Sequence, residues 1–168
     1  MDIACILPLL GVGSTQKEGQ PKTLVQDKPG VVANGATFKN WLAGVAKGDL
    51  DHAPYAEDAQ ISDPTGTYKG KAQIIDSFRV WTAAFPQASA QVTNQVSEGD
   101  QLVSEVIYRG THSGPLTSRG STIAPTGKQI ELRIAIVSSF RAGLIQRERA
   151  YFDLAGLMQQ LGVTPPRA

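Results

Sequence analysis

Three side chains in this chain have the type and setting for proton-transfer chemistry. Asp153 ends an alternating stretch at Tyr151-Phe152-Asp153, directly before the apolar run Leu154-Ala155-Gly156-Leu157-Met158-Gln159-Gln160-Leu161-Gly162. A carboxylate there either looks into a pocket as a general acid or base, or caps the helix that follows. Asp63 lies in Asp63-Pro64-Thr65-Gly66, which is first of all a turn, because Asp bonds its own backbone and Pro presets φ. His112 ends a strand in Gly110-Thr111-His112-Ser113-Gly114. A lone histidine is more often structural or solvent-facing, but this one shares a face with Ser104, Val106 and Tyr108, which would carry it to a cavity mouth.

Strand alternation supplies companions for Asp153. Ile145, Arg147, Arg149, Tyr151 and Asp153 fall on one face, with Gln146, Glu148, Ala150 and Phe152 on the other, subject to any bulge. If Asp153 looks inward, Arg147 and Arg149 are expected to do so too. Arginines beside it would lower its pKa and apolar walls would raise it. The alternating arginines are equally readable as a solvated face.

Other chemistries are poorly supplied. Cys5 is the only cysteine, so an internal disulfide and a thiolate metal cluster are excluded. His52 and His112 are far apart and neither sits in a zinc-protease spacing, so no metal is expected. Thr126-Gly127-Lys128 lacks the upstream glycine of a phosphate loop and reads as a turn into a strand.

The elements that must position these residues occupy one domain of a 168-residue chain with net charge +1. Lys and Arg are scattered, with no basic run and no aromatic ladder, which argues against nucleic acid. The apolar residues 3–13 have no basic flank and are broken by Pro8 and Gly11, so neither a signal peptide nor a membrane span is expected. The expectation is a soluble, cytoplasmic protein. Residues 1–35 read as an arm or linker, 36–163 as the folded domain and 164–168 as a tail.

Phe38, Trp41, Leu42 and Val45 fall at helical spacing, stopped at Gly48-Asp49. A short helix is expected at 51–57 and a short strand at 59–63. A further helix over 71–85 carries Ile74, Phe78, Trp81 and Phe85 on one face and ends at Pro86. Strands follow at 89–97, 102–112, 129–140 and 144–153, with a Gly/Ser/Thr/Pro-rich loop at 113–127. Helices followed by long antiparallel strands make an α+β plan. A curved sheet wrapping the helices forms a half-open cone with one natural cavity. Trp41, Phe78, Trp81 and Phe85 read as core.

Together Gly110-Thr111-His112-Ser113-Gly114, Pro125-Thr126-Gly127-Lys128 and the closing Tyr-Phe-Asp-Leu…Gln-Gln-Leu-Gly resemble the SnoaL-like polyketide cyclases. That group belongs to the nuclear transport factor 2-like, or ketosteroid isomerase-like, superfamily. The resemblance runs from about Ala36 to Val163 and includes Tyr55-Ala56-Glu57-Asp58-Ala59 ahead of Asp63-Pro64-x-Gly66. It implies a cone-shaped α+β fold (a cystatin-like barrel) and a homodimer formed through the outer sheet face. It also implies a cofactor-free enzyme that transfers protons on a small apolar carbonyl-bearing substrate of polyketide or terpenoid type.

In that reading Asp153 is the general acid/base and Asp63 or His112 the second. Arg149 or Tyr151 steadies the enolate oxygen, while Arg147, Trp41, Tyr108, Phe78 and Trp81 complete the substrate wall. The departures are specific. The isomerases' oxyanion pair falls on Trp41 and Ile136, and the epoxide hydrolases' Arg-x-Asp falls on Ile107 and Arg109, without its second carboxylate. The cyclases' histidine has no counterpart near Ser139. An epoxide hydrolase or cyclase of the limonene-epoxide-hydrolase type, or a non-catalytic binding or dimerisation module, stands as the alternative.

Overall fold

The computed structural model describes residues 29–118 and 120–163. Helix α1, Pro29–Ala46, starts ahead of Ala36. It buries Phe38, Trp41 and Val45 as one stripe and is followed by Gly48 at φ 79°. The short helix expected at 51–57 is replaced by β1, Tyr55–Asp63. Tyr55, Ala56, Ala59 and Ile61 are all core residues, and the Ile145 amide donates to the Pro54 carbonyl at 2.7 Å, tying this segment into the sheet.

The Asp63 turn leads into β2, Gly66–Lys69, a strand that pairs back on β1. Helix α2, Lys71–Ala84, follows with Ile74 wholly buried. Then come β3 (Ser89–Glu98), β4 (Gln101–Thr111), β7 (Gln129–Arg141) and β8 (Leu144–Tyr151), ending in α3, Leu154–Leu161. The expected loop at 113–127 holds a small hairpin of β5 (Leu116–Ser118) and β6 (Ser121–Ile123). Three residues per strand are too few for alternation to announce itself.

The main sheet has six strands in the order β2-β1-β8-β7-β4-β3. It is mixed rather than antiparallel throughout, because β1 and β8 run parallel. These strands lie at opposite ends of the chain, so no hairpin dictates their direction. The sheet does not close, and β2 and β3 remain as edges. Two apolar clusters fill the concave side, one around Phe38, Tyr55 and Ile145, the other around Phe85, Leu132 and Leu157. Ile134 touches both. Among the described residues no helix is long and apolar enough to cross a membrane.

One irregularity decides which side of β8 faces in. Ser139 pairs with Arg147 but Phe140 pairs with Ile145, so β8 carries one extra residue at Gln146. Such a bulge inverts the alternation. Ile145 and Glu148 both point into the core, while Arg147, Arg149 and Tyr151 are exposed.

Candidate functional site

A cleft of about 1100 Å³ opens between α2, the β1–β2 turn, the β5–β6 hairpin and α3. Its apolar floor is built from Val80, Trp81, Leu116, Ile123, Leu157 and Met158, with Thr65 and Tyr68 on one wall. Volumes of roughly 300–1,000 Å³ are usual for small-molecule sites, so this cleft has room for a multi-ring ligand. Asp76 is the one charged lining residue among the described residues, and it is paired with Arg79 at 2.6 Å.

Asp63 stands directly behind the wall formed by Pro64 and Thr65. Its Oδ1 accepts from the Thr65 amide at 2.6 Å, the Thr65 hydroxyl at 2.6 Å and the Gly66 amide at 3.0 Å. The Thr65 hydroxyl also meets the Tyr68 phenol at 2.9 Å. With the Thr65 proton given to Asp63, the phenol is the donor in that contact. A polar chain thus runs from Tyr68, in the cleft, through Thr65 to Asp63.

Glu148 is the group that sequence reasoning passed over. It is 5% exposed, with the Tyr55 hydroxyl 3.3 Å from both its carboxyl oxygens and Ser138 Oγ donating to Oε2 at 3.2 Å. Burial raises its pKa to about 7, the two hydroxyl bonds lower it, and the charge of Asp63 raises it. The Tyr55 phenol is pushed well above its usual range, first by burial and then by Glu148. Inside an Arg-Glu-Arg run Glu148 looks like surface. The available signal was that Glu148, Ala150 and Phe152 form the less polar of the two faces of β8.

The other predicted residues fall elsewhere. Asp153 is exposed and caps α3, its Oδ1 accepting from the Gly156 amide at 2.8 Å. The expectation that it looks inward is corrected by the bulge, which sends the whole Arg147, Arg149 and Tyr151 face outward. Tyr151 is 55% exposed. Trp41 packs edge-on against both Tyr55 and Phe78, whose rings are tilted on each other, and the three sit in the core rather than on the wall of this cleft. Trp81 does line the cleft, backed by Tyr108 at 6.1 Å and Phe152 at 6.1 Å. Burial pushes the Tyr108 phenol up.

His112 is wholly buried and works as a clamp. Its amide donates to the Lys128 carbonyl at 2.8 Å and its carbonyl accepts from Gly127 at 2.9 Å. Nδ1 accepts from the Thr126 amide at 3.2 Å, which leaves the proton of the neutral ring on Nε2. Burial lowers its pKa. Among the described residues Nε2 is the one buried side-chain polar atom without a partner.

The flanking glycines serve the same clamp. A Cβ on Gly110 would stand 3.2 Å from the Phe85 side chain, and one on Gly114 would run into the Ala83 carbonyl oxygen. The Gly110–Gly114 motif therefore docks the end of β4 on the C-terminus of α2. No group of three or more His, Cys, Asp or Glu that could hold a metal exists among the described residues.

The model of the SnoaL-like polyketide cyclase family matches residues 38–161. Among solved structures, a candidate SnoaL-like polyketide cyclase from Jannaschia sp. CCS1 superposes with TM-score 0.71 at 19% identity, covering 88% of this chain and 100% of that one. IdmH of Streptomyces antibioticus, a candidate polyketide cyclase, gives TM-score 0.63 at 27% identity over 77% and 99%. A Catenulispora acidiphila protein with a ketosteroid isomerase-like fold gives 0.59 at 20% identity over 76% and 92%. No curated protein sequence matches the chain.

Proposed function

The chain belongs to the SnoaL-like polyketide cyclase family, and from that premise we propose that it is a cofactor-free cyclase or isomerase acting by aspartate acid–base catalysis. Its substrate is an apolar carbonyl-bearing molecule of polyketide or terpenoid type, seated in the cleft between α2 and α3. The observation that carries the reading is the polar chain Asp63–Thr65–Tyr68 on the wall of a large apolar cleft.

Asp63, behind the cleft wall, takes the proton of the carbon beside the carbonyl through the Thr65 hydroxyl, which passes its own proton to Asp63 as it receives the substrate's. The same route returns it. The Tyr68 phenol turns its proton from Thr65 to the developing enolate oxygen. Acid–base groups positioned in this way give on the order of 10²–10⁴-fold, and a single enolate donor on the order of 10²–10³-fold. The apolar floor orients the skeleton. Asp153 and His112 have no part in this scheme, and the homodimer carries over as a pairing through the outer sheet face, where Val103 and Tyr151 are exposed.

Asp63→Asn is the direct test, because an Asn Oδ1 accepts the same turn hydrogen bonds while the base is gone. Turnover of keto-ester polyketide analogues, or deuterium exchange at the carbon beside their carbonyl, is expected to fall about 10²–10⁴-fold. An unchanged rate in a folded Asp63→Asn protein removes Asp63 from the chemistry, and no turnover or exchange in the wild type points to a binding module instead.

A further inference from the structure

The cleft changes character along its length. Gln73, Asp76, Ser77, Val80 and Trp81 line it from α2, the spacing of one helix face. The first three are polar and the last two apolar, so the change falls within about 10 Å of helix. The polar half lies beside β2, where Gln73 Oε1 accepts from the Lys69 amide at 3.1 Å and Tyr68 bonds Thr65. The apolar half lies beside the hairpin and α3: the Ser113 and Gly114 amides reach the Ala84 carbonyl at the end of α2, and Trp81 meets Phe152 at 6.1 Å. Leu116, Ile123, Leu157 and Met158 line the cleft there. The hairpin's polar lining residues, Thr117, Ser118 and Ser121, lie at its turn, with Thr117 and Ser121 exposed.

Met158 is half-buried on the second turn of α3 and packs against the second apolar cluster. Its unbranched side chain folds aside or fills a gap as needed, a freedom that the buried, branched Leu116 and Leu157 lack.

We propose that the cleft takes a neutral substrate with its oxygens gathered at one end and an unbroken hydrocarbon portion at the other, and that Met158 sets how long that portion can be. Among the described residues no lysine or arginine lines the cleft, and the one charge there is the Asp76 carboxylate. Nothing in the lining therefore pairs with a free carboxylate, which argues against a fatty acid. The oxygenated end faces the Tyr68 phenol, with Gln73 Nε2 as a second donor, since its Oε1 is already engaged. Hydrocarbon laid over Leu157 toward Met158 gains free energy in proportion to the apolar area covered. Placing the reacting carbonyl at the Tyr68 end rests on the function proposed above, whereas orientation and length limit are measurable by binding alone.

The probes are the methyl 3-oxoalkanoates from methyl 3-oxohexanoate to methyl 3-oxododecanoate, bound to the full chain and followed by calorimetry. Affinity is expected to rise about three- to fourfold per methylene and then to level off. Met158→Ala is expected to move the levelling to a longer chain and Met158→Phe to a shorter one. Affinity independent of chain length, or a levelling that neither variant moves, overturns the length limit. If Met158→Phe fails to fold, Met158→Ala alone decides. Dodecanoate is expected to bind several-fold more weakly than the esters, and equal binding overturns the neutral-substrate assignment. Met1 and Met158 are the chain's two methionines, so carbon-13 in their methyls gives a simple spectrum. A nuclear Overhauser contact from the chain-terminal methyl of the ester to the Met158 methyl is expected, and a contact from the ester methoxyl in its place overturns the orientation. Unchanged turnover in Asp63→Asn removes Asp63 from the chemistry and leaves these binding results standing. A cleft that binds none of the esters sinks this inference.

Discussion

The Asp153 carboxylate accepts a hydrogen bond from the Gly156 amide, three residues on, at 2.8 Å. The bond satisfies one of the free amides at the start of α3, and the negative charge sits at the positive end of that helix. A Cβ on Gly156 would collide with the same carboxylate, so the bare glycine is what lets the side chain fold over the helix end. Leu157 and Leu161 of this short helix are buried in the second apolar cluster, and Leu157 lines the cleft. The carboxylate therefore serves the site through the helix that it starts.

Asp153→Ala is expected to cost about 1 kcal/mol of stability, the usual loss for removing an N-cap oxygen. Asp153→Asn, which keeps a capping oxygen, is expected to lose a few tenths of that at most and to leave turnover unchanged. Urea denaturation of both variants measures the first statement. A steep loss of turnover in Asp153→Asn at intact stability would return the residue to the chemistry.

Much of this architecture is legible in the sequence, and where it is not the cause is a tertiary event. Ile74, Phe78 and Trp81 announce α2, and Ile130 to Ile136 announce β7, because each segment has one periodicity and one buried face. The β8 bulge leaves no local mark: Gln146-Arg147 is polar on either phase, so only the pairing with β7 shows that the face inverts. That single residue moves Arg147, Arg149 and Tyr151 outside and Glu148 inside. The comparative cost was readable, since burying two arginines and a tyrosine is worse than burying one glutamate flanked by Ala150 and Phe152. The parallel β1–β8 pair was not, because contacts between chain ends have no signature in local pattern.

Gly114 predicts a sharp steric effect. Gly114→Ala forces a methyl into the Ala83 carbonyl oxygen and breaks the close approach that lets the Ser113 and Gly114 amides donate to the Ala84 carbonyl, both at 3.1 Å. A loss of roughly 2–4 kcal/mol is expected, combining overpacking with at least one orphaned group. A melting temperature equal to the wild type's would show that β4 and α2 part easily here, contrary to the clamp.

His112 predicts an acid-side loss. Burial lowers its folded-state pKa below 6.5, so the folded protein disfavours the imidazolium. The stability this represents is fully present above pH 6.5 and is lost as pH falls through the folded-state pKa. In His112→Asn, whose Oδ1 replaces Nδ1 as acceptor for Thr126, that acid-side slope is expected to disappear. His112→Leu leaves the Thr126 amide without its partner and is expected to cost about 1–3 kcal/mol at neutral pH. Chemical denaturation at pH 5 and pH 7.5 separates the two effects.

Glu148 predicts the opposite slope. Its folded-state pKa of about 7 exceeds the ordinary 4.5, so between those values the folded chain binds a proton that the unfolded chain has released. Unfolding stability then falls as pH rises from 4.5 to about 7 and is level with respect to this group above that. At about 1.4 kcal/mol per pKa unit the whole change is roughly 3 kcal/mol. Glu148→Gln keeps the acceptor for Tyr55 and Ser138 but cannot ionise, so it is expected to match the wild type near pH 4.5 and to exceed it by roughly 3 kcal/mol at pH 8. Measuring both proteins at each pH cancels the contribution of His112, which is common to them. A Glu148→Gln protein less stable than wild type at pH 8 would mean that the buried carboxylate is welcome as an anion, and the hydroxyls of Tyr55 and Ser138 would then have to outweigh its burial.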